Sequence, residues 1–110
     1  MNNADNSSIS ESLVQPVFHV FVPNTIATKS ELLDFLGERL KFFDGWGKNW
    51  DALDDLLDDL SWIDKKTVWI EHQTFPKIGK SELGIYLDIL KDAMSALREE
   101  GEKRLVFSFG

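Results

Sequence analysis

The sequence predicts a single small α/β domain: a three-stranded parallel sheet with helices packed against it, in the order β-α-α-β-α-β. Three observations carry this. Short runs rich in β-branched and aromatic residues stand at Val17–Val22 (VFHVFV), Thr67–Glu71 (TVWIE) and Arg104–Phe109 (RLVFSF). The stretches between them repeat apolar residues at helical spacing. Each connection is long enough to hold a helical crossover, which makes the strands parallel neighbours joined in the right-handed sense.

The elements follow in order. Residues 1–13 (MNNADNSSISESL) are polar and aperiodic and read as a flexible tail, with the domain running from 14 to 110. Val17–Val22 lies between Pro16 and Pro23 and reads as a strand buried on both faces. Thr28 with Glu31 three residues on has the spacing of a capping box. Leu32, Leu36, Leu40 and Phe43 line one face of the helix that follows. Asp44-Gly45-Trp46-Gly47 stops it, because paired glycines favour a loop over a helix. A second helix runs from Asn49 to about Ser61. After the strand at Thr67–Glu71, Pro76 and Gly79 break a connection, and Ser81 can cap a third helix. Leu83, Leu87, Leu90, Met94 and Leu97 form its apolar stripe, and Gly101 is placed to end it. The third strand closes the chain.

Composition narrows the function. Of 110 residues, 43% are hydrophobic, with four Trp and eight Phe, which supports a packed core. There is no cysteine, so disulfides and thiolate metal sites are excluded. No apolar run approaches a membrane span, and no secretory leader is visible, so a cytoplasmic protein is expected. The net charge of −7 disfavours nucleic acid and anionic membranes and favours a basic partner.

That charge is concentrated. Residues 44–64 hold seven aspartates against one base, Lys48, which is −6 of the total. On a wheel of 100° per residue, Asp51, Asp54, Asp55, Asp58 and Asp59 share a sector of about 140°. Trp50, Leu53, Leu56, Leu57 and Leu60 share the opposite one. Like charges at i,i+4 destabilise a helix by about 0.2–0.5 kcal/mol per pair. Asp51–Asp55, Asp54–Asp58 and Asp55–Asp59 all have that spacing, so stability does not account for the row. A solvated, solubilising face is the plain alternative. The absence of interspersed Lys or Arg, and the adjacent Gly-Trp-Gly loop, weigh against it. Trp46, between two glycines, is open to either burial or exposure; an exposed aromatic beside a charged row has the character of a binding hot spot. Trp50 fits core packing.

Other chemistry lacks its parts. His19 falls inside a strand and reads as structural. His72 beside Glu71 is the one pair that could serve an enzyme, but it has no third partner. Ile78-Gly79-Lys80-Ser81 resembles the end of a phosphate loop, yet Thr74 stands where its first Gly belongs. The aspartates fall at helical rather than calcium-loop spacing, so no metal and no cofactor are expected.

The stretch Trp46-Gly47-Lys48-Asn49-Trp50-Asp51-Ala52-Leu53-Asp54-Asp55-Leu56 resembles the barstar family signature, aromatic-G-x-N-x-D-A-L-x-D, and the likeness extends over residues 15–110. The resemblance implies a small cytoplasmic inhibitor of a secreted microbial ribonuclease. It implies that Asp55 is the principal inhibitory aspartate, entering the nuclease's phosphate site, and that Asp51 faces the enzyme's basic residues. Asn49 and Gly47 match loop and cap positions at the interface. Gly45 stands where the best-known member has a tyrosine, Asp54 replaces an aromatic contact, Lys48 replaces an acid, and Ala96 replaces a glutamate. Trp62 falls near the family's interface tryptophan, in a segment about two residues longer.

The expected site is therefore Trp46, Gly47, Asn49, Asp51, Asp54, Asp55, Asp58, Asp59 and Trp62, with no catalytic or metal-binding residue. The expected function is an immunity-type inhibitor that blocks a basic ribonuclease or ribonuclease-like toxin by mimicking RNA phosphates. It would be monomeric alone and would form a 1:1 heterodimer with the nuclease. The alternative is an acidic module that mimics nucleic acid to block a DNA- or RNA-binding protein that is not a nuclease.

Overall fold

Alternating burial along the strands sets the architecture. The computed structural model describes residues 17–110. The tail expected at 1–13, and the start of the domain expected at 14, lie outside the described residues. The elements are β1 (Val17–Val22), α1 (Lys29–Arg39), α2 (Trp50–Leu57), β2 (Thr67–His72), α3 (Lys80–Glu100) and β3 (Arg104–Phe109). The strands form one parallel sheet in the order β1-β2-β3. This is the expected β-α-α-β-α-β fold.

The register places Val20, Ile70 and Phe107 side by side, and Val22, His72 and Phe109 one step further. These residues, with Val68 and Leu105, face the helices and build the core. The opposite face carries His19, Trp69 and Val106, then Phe21, Glu71 and Ser108. Phe21 and Val106 are exposed there. The expectation that β1 is buried on both faces is thus corrected: among the described residues, helices cover one face of the sheet only. The outer face is held by local contacts. His19 stacks on Trp69 at 4.3 Å and its Nε2 lies 2.8 Å from Glu71 Oε1. Trp69 Nε1 donates to Ser108 Oγ at 3.1 Å.

The helix boundaries differ from the sequence pattern in informative ways. The capping box at α1 forms: Thr28 Oγ1 accepts from Glu31 N at 3.1 Å, and Glu31 Oε1 accepts from Ala27 N at 2.9 Å. Leu32, Leu33, Leu36 and Leu40 are buried as its core face. Phe43, expected on that stripe, is 62% exposed, because α1 ends at Arg39 and Lys41 turns the chain with φ 61°. The N-cap of α3 is Gly79 at φ 99°, with no side-chain cap, so Ser81 lies inside the first turn. The core stripe of α3 is Tyr86, Ile89, Leu90, Ala93 and Leu97, with Leu83, Leu87 and Met94 half-buried at its margins. Gly101 at φ 86° ends the helix, its N–H donating to the Leu97 carbonyl.

One polar group enters the core. His72, fully buried, has Nδ1 2.9 Å from the Ser108 carbonyl and Nε2 2.7 Å from the Tyr86 hydroxyl. A carbonyl only accepts, so Nδ1–H donates to it and Nε2 accepts from Tyr86 O–H. The ring also stacks on Phe109 at 4.3 Å. His72 therefore ties β2, β3 and α3 together as a neutral imidazole. It has no route to a substrate, which removes the Glu71–His72 pair as a catalytic centre. Burial pushes its pKa below the ordinary 6.5, partly offset by the bond to Ser108. A base whose folded pKa is lowered binds more protons unfolded, so stability falls as pH drops below about 6.5. The expected result is a urea midpoint that declines between neutral pH and that window's acid end, with the His72 ring protons titrating below 6.5 by NMR. Ordinary titration of His72 would contradict it.

Candidate functional site

The loop Lys41–Asn49 and helix α2 form one unit, built from backbone conformation upward. Gly45 (φ 79°), Gly47 (φ 100°) and Lys48 (φ 48°) all turn the chain through the left-handed region. Asn49 then caps α2, its Oδ1 accepting from Ala52 N at 2.8 Å and its Nδ2 donating to the Gly47 carbonyl at 3.4 Å. Lys48, the lone base in the acidic segment, leans away to Asp34 at 3.1 Å. The cap and the helix N-terminus leave Gly47 and Asn49 exposed.

An aromatic ladder fixes this loop from below. Trp46 packs edge-on to Phe42 at 4.9 Å, and Phe42 edge-on to Trp62 at 5.8 Å. Trp62 Nε1 donates to the Leu40 carbonyl at 2.8 Å. Trp46 is only 6% exposed, and its indole lies so close to Gly37 that a Cβ there would sit 2.7 Å from Nε1. Of the two outcomes open to Trp46, burial is the one found: it is the buried anchor of the loop. Trp62, at 37% exposure, remains reachable.

At its other side, α2 docks on α3 through Trp50. The indole Nε1 donates to Glu82 Oε1 at 2.7 Å and its ring lies 6.0 Å from Tyr86. Leu53 and Leu57 are buried beneath. Helix α2 ends at Leu57, earlier than the wheel predicted, and Leu60 turns the chain at φ 52°. Asp59 thus stands in a turn, where Ser61 Oγ donates to its Oδ2 at 3.0 Å.

The aspartates divide into two sets. Asp51, Asp55 and Asp59 are exposed. Asp54 and Asp58 are half-buried, each with one carboxylate oxygen, Oδ1, shielded from solvent and without a hydrogen-bond partner. Burial is the main cause raising both pKa values above the usual 3.8. Asp92 of α3, Asp55 and Asp51 add to it at Asp54; Asp54, Asp55 and Asp92 add to it at Asp58. The sequence pattern missed Asp92, because only the docking of α3 brings it to the row.

An acid with a raised folded pKa binds more protons folded than unfolded. Its charge therefore opposes folding at neutral pH, and the penalty disappears as pH falls towards 3.8. Asp58→Asn is expected to stabilise the protein by about 0.5–1 kcal/mol at pH 7, summing the repulsion of neighbouring carboxylates. The gain should vanish near pH 4, which parallel urea titrations at the two pH values will show.

Beside the row lies an open apolar groove of about 370 Å³, lined by Lys41, Phe42, Phe43, Leu56, Asp59 and Trp62. Phe43 and Leu56 were not among the expected site residues. Phe43 is an apolar residue left over once α1 stops early, and Leu56 lies at the margin of the apolar sector of α2. Among the described residues, no cluster of acids or histidines is arranged to hold a metal ion. Among these residues, too, no helix is long and apolar enough to cross a membrane.

A family model described as "Barstar (barnase inhibitor)" matches residues 17–108. The chain belongs to the barstar family. No curated protein matches it. The barstar match spans all six elements, including the loop and α2, so the acidic row sits on the family's own scaffold. The barstar family's description is that of an inhibitor, not an enzyme.

Proposed function

We propose that this chain is an intracellular inhibitor of a basic ribonuclease or ribonuclease-like toxin, and that it blocks the active site with α2 and the preceding loop. The observation that carries the proposal is the aspartate row, with three carboxylates exposed and, among the described residues, none paired with a Lys or Arg, on a barstar scaffold.

A ribonuclease site must gather cations around a phosphodiester. Exposed carboxylates on a rigid helix can occupy those phosphate positions while offering no bond to cleave. Asp55 and Asp51, one helical turn apart, are the primary mimics, with Asp59 extending the row. Asp54 and Asp58, backed by Asp92, supply a negative field that a partner's cation relieves. Gly47 and Asn49 lie at the rim and let another chain approach the helix N-terminus. Trp62 and Phe43 flank the row as apolar contacts. Trp46 acts through the loop it anchors. Opposite fields on the two proteins also accelerate encounter and make it sensitive to salt.

The test is direct inhibition. A small basic nuclease encoded beside this chain, purified with it, should lose activity at a 1:1 ratio; persistence of full activity would reject the proposal for that pair. Co-purification with a transcription or repair factor instead would favour a nucleic-acid mimic aimed at a non-nuclease. Phe43→Ala should leave the fold intact and weaken the complex by about 1 kcal/mol, roughly fivefold, by calorimetry.

A further inference from the structure

The basic residues of this acidic chain also gather at one place. A cavity of about 450 Å³ opens between the last turns of α3 and the first residues of β2 and β3. Lys66, Arg98, Lys103 and Arg104 line it, with Met94 and Val106 as apolar members, and no carboxylate is among the lining residues. In a chain of net −7, four cations around one cavity are not the expected background.

Two of them have structural work. Lys103 Nζ donates to the carbonyls of Ile63 and Lys65. Arg98 lies in the last turn of α3, where a cation complements the helix's negative end. Lys66 and Arg104 have neither task. They are held together because the register sets Thr67 opposite Arg104, and Arg104 N donates to the Lys66 carbonyl at 2.9 Å. Among the described residues the ion pairs are His19–Glu71 and Lys48–Asp34, so Lys66, Arg98 and Arg104 face no carboxylate within pairing distance. Glu100 and Glu102 line the neighbouring cavity on the far side of Lys103, so the lining cations have carboxylates nearby but none in the cavity itself, where an anion that bridges them is stabilised.

We propose that this cavity binds a small polyphosphate anion, with Lys66, Arg98 and Arg104 as its ligands. The two arginines supply forked N–H donors suited to phosphate oxygens. The volume lies in the range of small-molecule sites. The half-buried Met94 of α3 is an apolar lining residue beside the cations, a surface that suits a nucleoside attached to the phosphates.

The experiment titrates the full chain with ATP, and separately with inorganic triphosphate, at low salt, following calorimetry and NMR shifts. Saturable binding is expected, weakened about tenfold or more by Arg98→Gln and by Arg104→Gln. Lys91→Gln, on the exposed side of α3 outside the cavity, should leave it unchanged. Tighter binding of ATP than of triphosphate supports a nucleotide held by the apolar lining; equal binding supports a site for the phosphates alone. No saturation at millimolar ligand, or binding that both arginine variants leave intact, overturns the proposal. Unchanged thermal unfolding of the variants shows that a lost signal is not lost fold. The outcome is independent of nuclease inhibition.

Discussion

Asp55→Ala is expected to weaken the complex with the cognate ribonuclease by about 2–5 kcal/mol, roughly 30- to 5,000-fold in Kd. Asp55 is exposed at the middle of α2, one turn from Asp51, and makes no ion pair among the described residues. A nuclease cation that meets it leaves water on both sides. Removing the carboxylate then strands that cation at the interface, and the loss is larger than the pair's net contribution. Most of the change should be in the dissociation rate, with the association rate falling less. Asp88→Ala removes the same charge from an exposed position on α3. It should change Kd by about twofold at most, through the long-range field alone. Surface plasmon resonance on both variants at two salt concentrations makes the comparison. Equal and small effects would reject the row as the inhibitory surface.

Trp46→Ala is expected to destabilise the fold by about 3–5 kcal/mol, the usual range for emptying a buried aromatic site. The ring fills the space between Gly37 of α1 and Phe42, and Phe42 in turn supports Trp62. Without it the loop loses its anchor, and the cap at Asn49 loses the chain direction that positions it. Affinity should fall with stability although Trp46 itself is buried, because the N-terminal end of α2 is no longer presented in one geometry. Gly37→Ala approaches the same contact from the other side. Its Cβ would lie 2.7–3.1 Å from three atoms of the indole, so the ring or the helix must shift. A penalty of about 1–3 kcal/mol is expected. Urea denaturation measures both variants, and binding of the folded protein shows whether the loop has moved. An unchanged midpoint for Trp46→Ala would mean that the loop is held elsewhere.

The stability effects of Asp58 and His72 run in opposite directions with pH. Burial disfavours the charged form of each group. For the aspartate that form exists at neutral pH, and for the histidine only below it. The half-buried part of the acidic row thus opposes stability at neutral pH, where the proposed binding would draw on its charge.

Much of this was legible in the residues. Short runs of β-branched and aromatic residues and helical stripes gave the element order, because such residues fit a pleated strand and the helical period repeats an apolar face. The Gly-Trp-Gly stretch gave the loop, since glycine takes left-handed conformations that other residues resist, and the barstar resemblance gave Asn49 as the cap, whose side-chain oxygen accepts from Ala52 N. The row of aspartates was visible as a charge imbalance before any coordinates. Helix ends were read less well. Phe43 continued the apolar spacing of α1 but belongs to the loop, and Asp59 continued that of α2 but belongs to a turn. Periodicity alone does not register where a chain leaves the helix.

The sequence by itself determined the local preferences: which segments extend, which coil, where the chain turns, and where its negative charge is gathered. Tertiary packing decided what each side chain faces. It buried Trp46 against Gly37 and turned Asp54 and Asp58 towards Asp92 of another helix. It closed His72 between Tyr86 and Ser108 and, among the described residues, set the helices on one face of the sheet. These outcomes depend on contacts between residues distant in the chain, and burial, desolvation and charge proximity exist only once those contacts have formed. The aspartates are equivalent in sequence. They become three outward carboxylates and two partly desolvated ones only when α2 docks on α3.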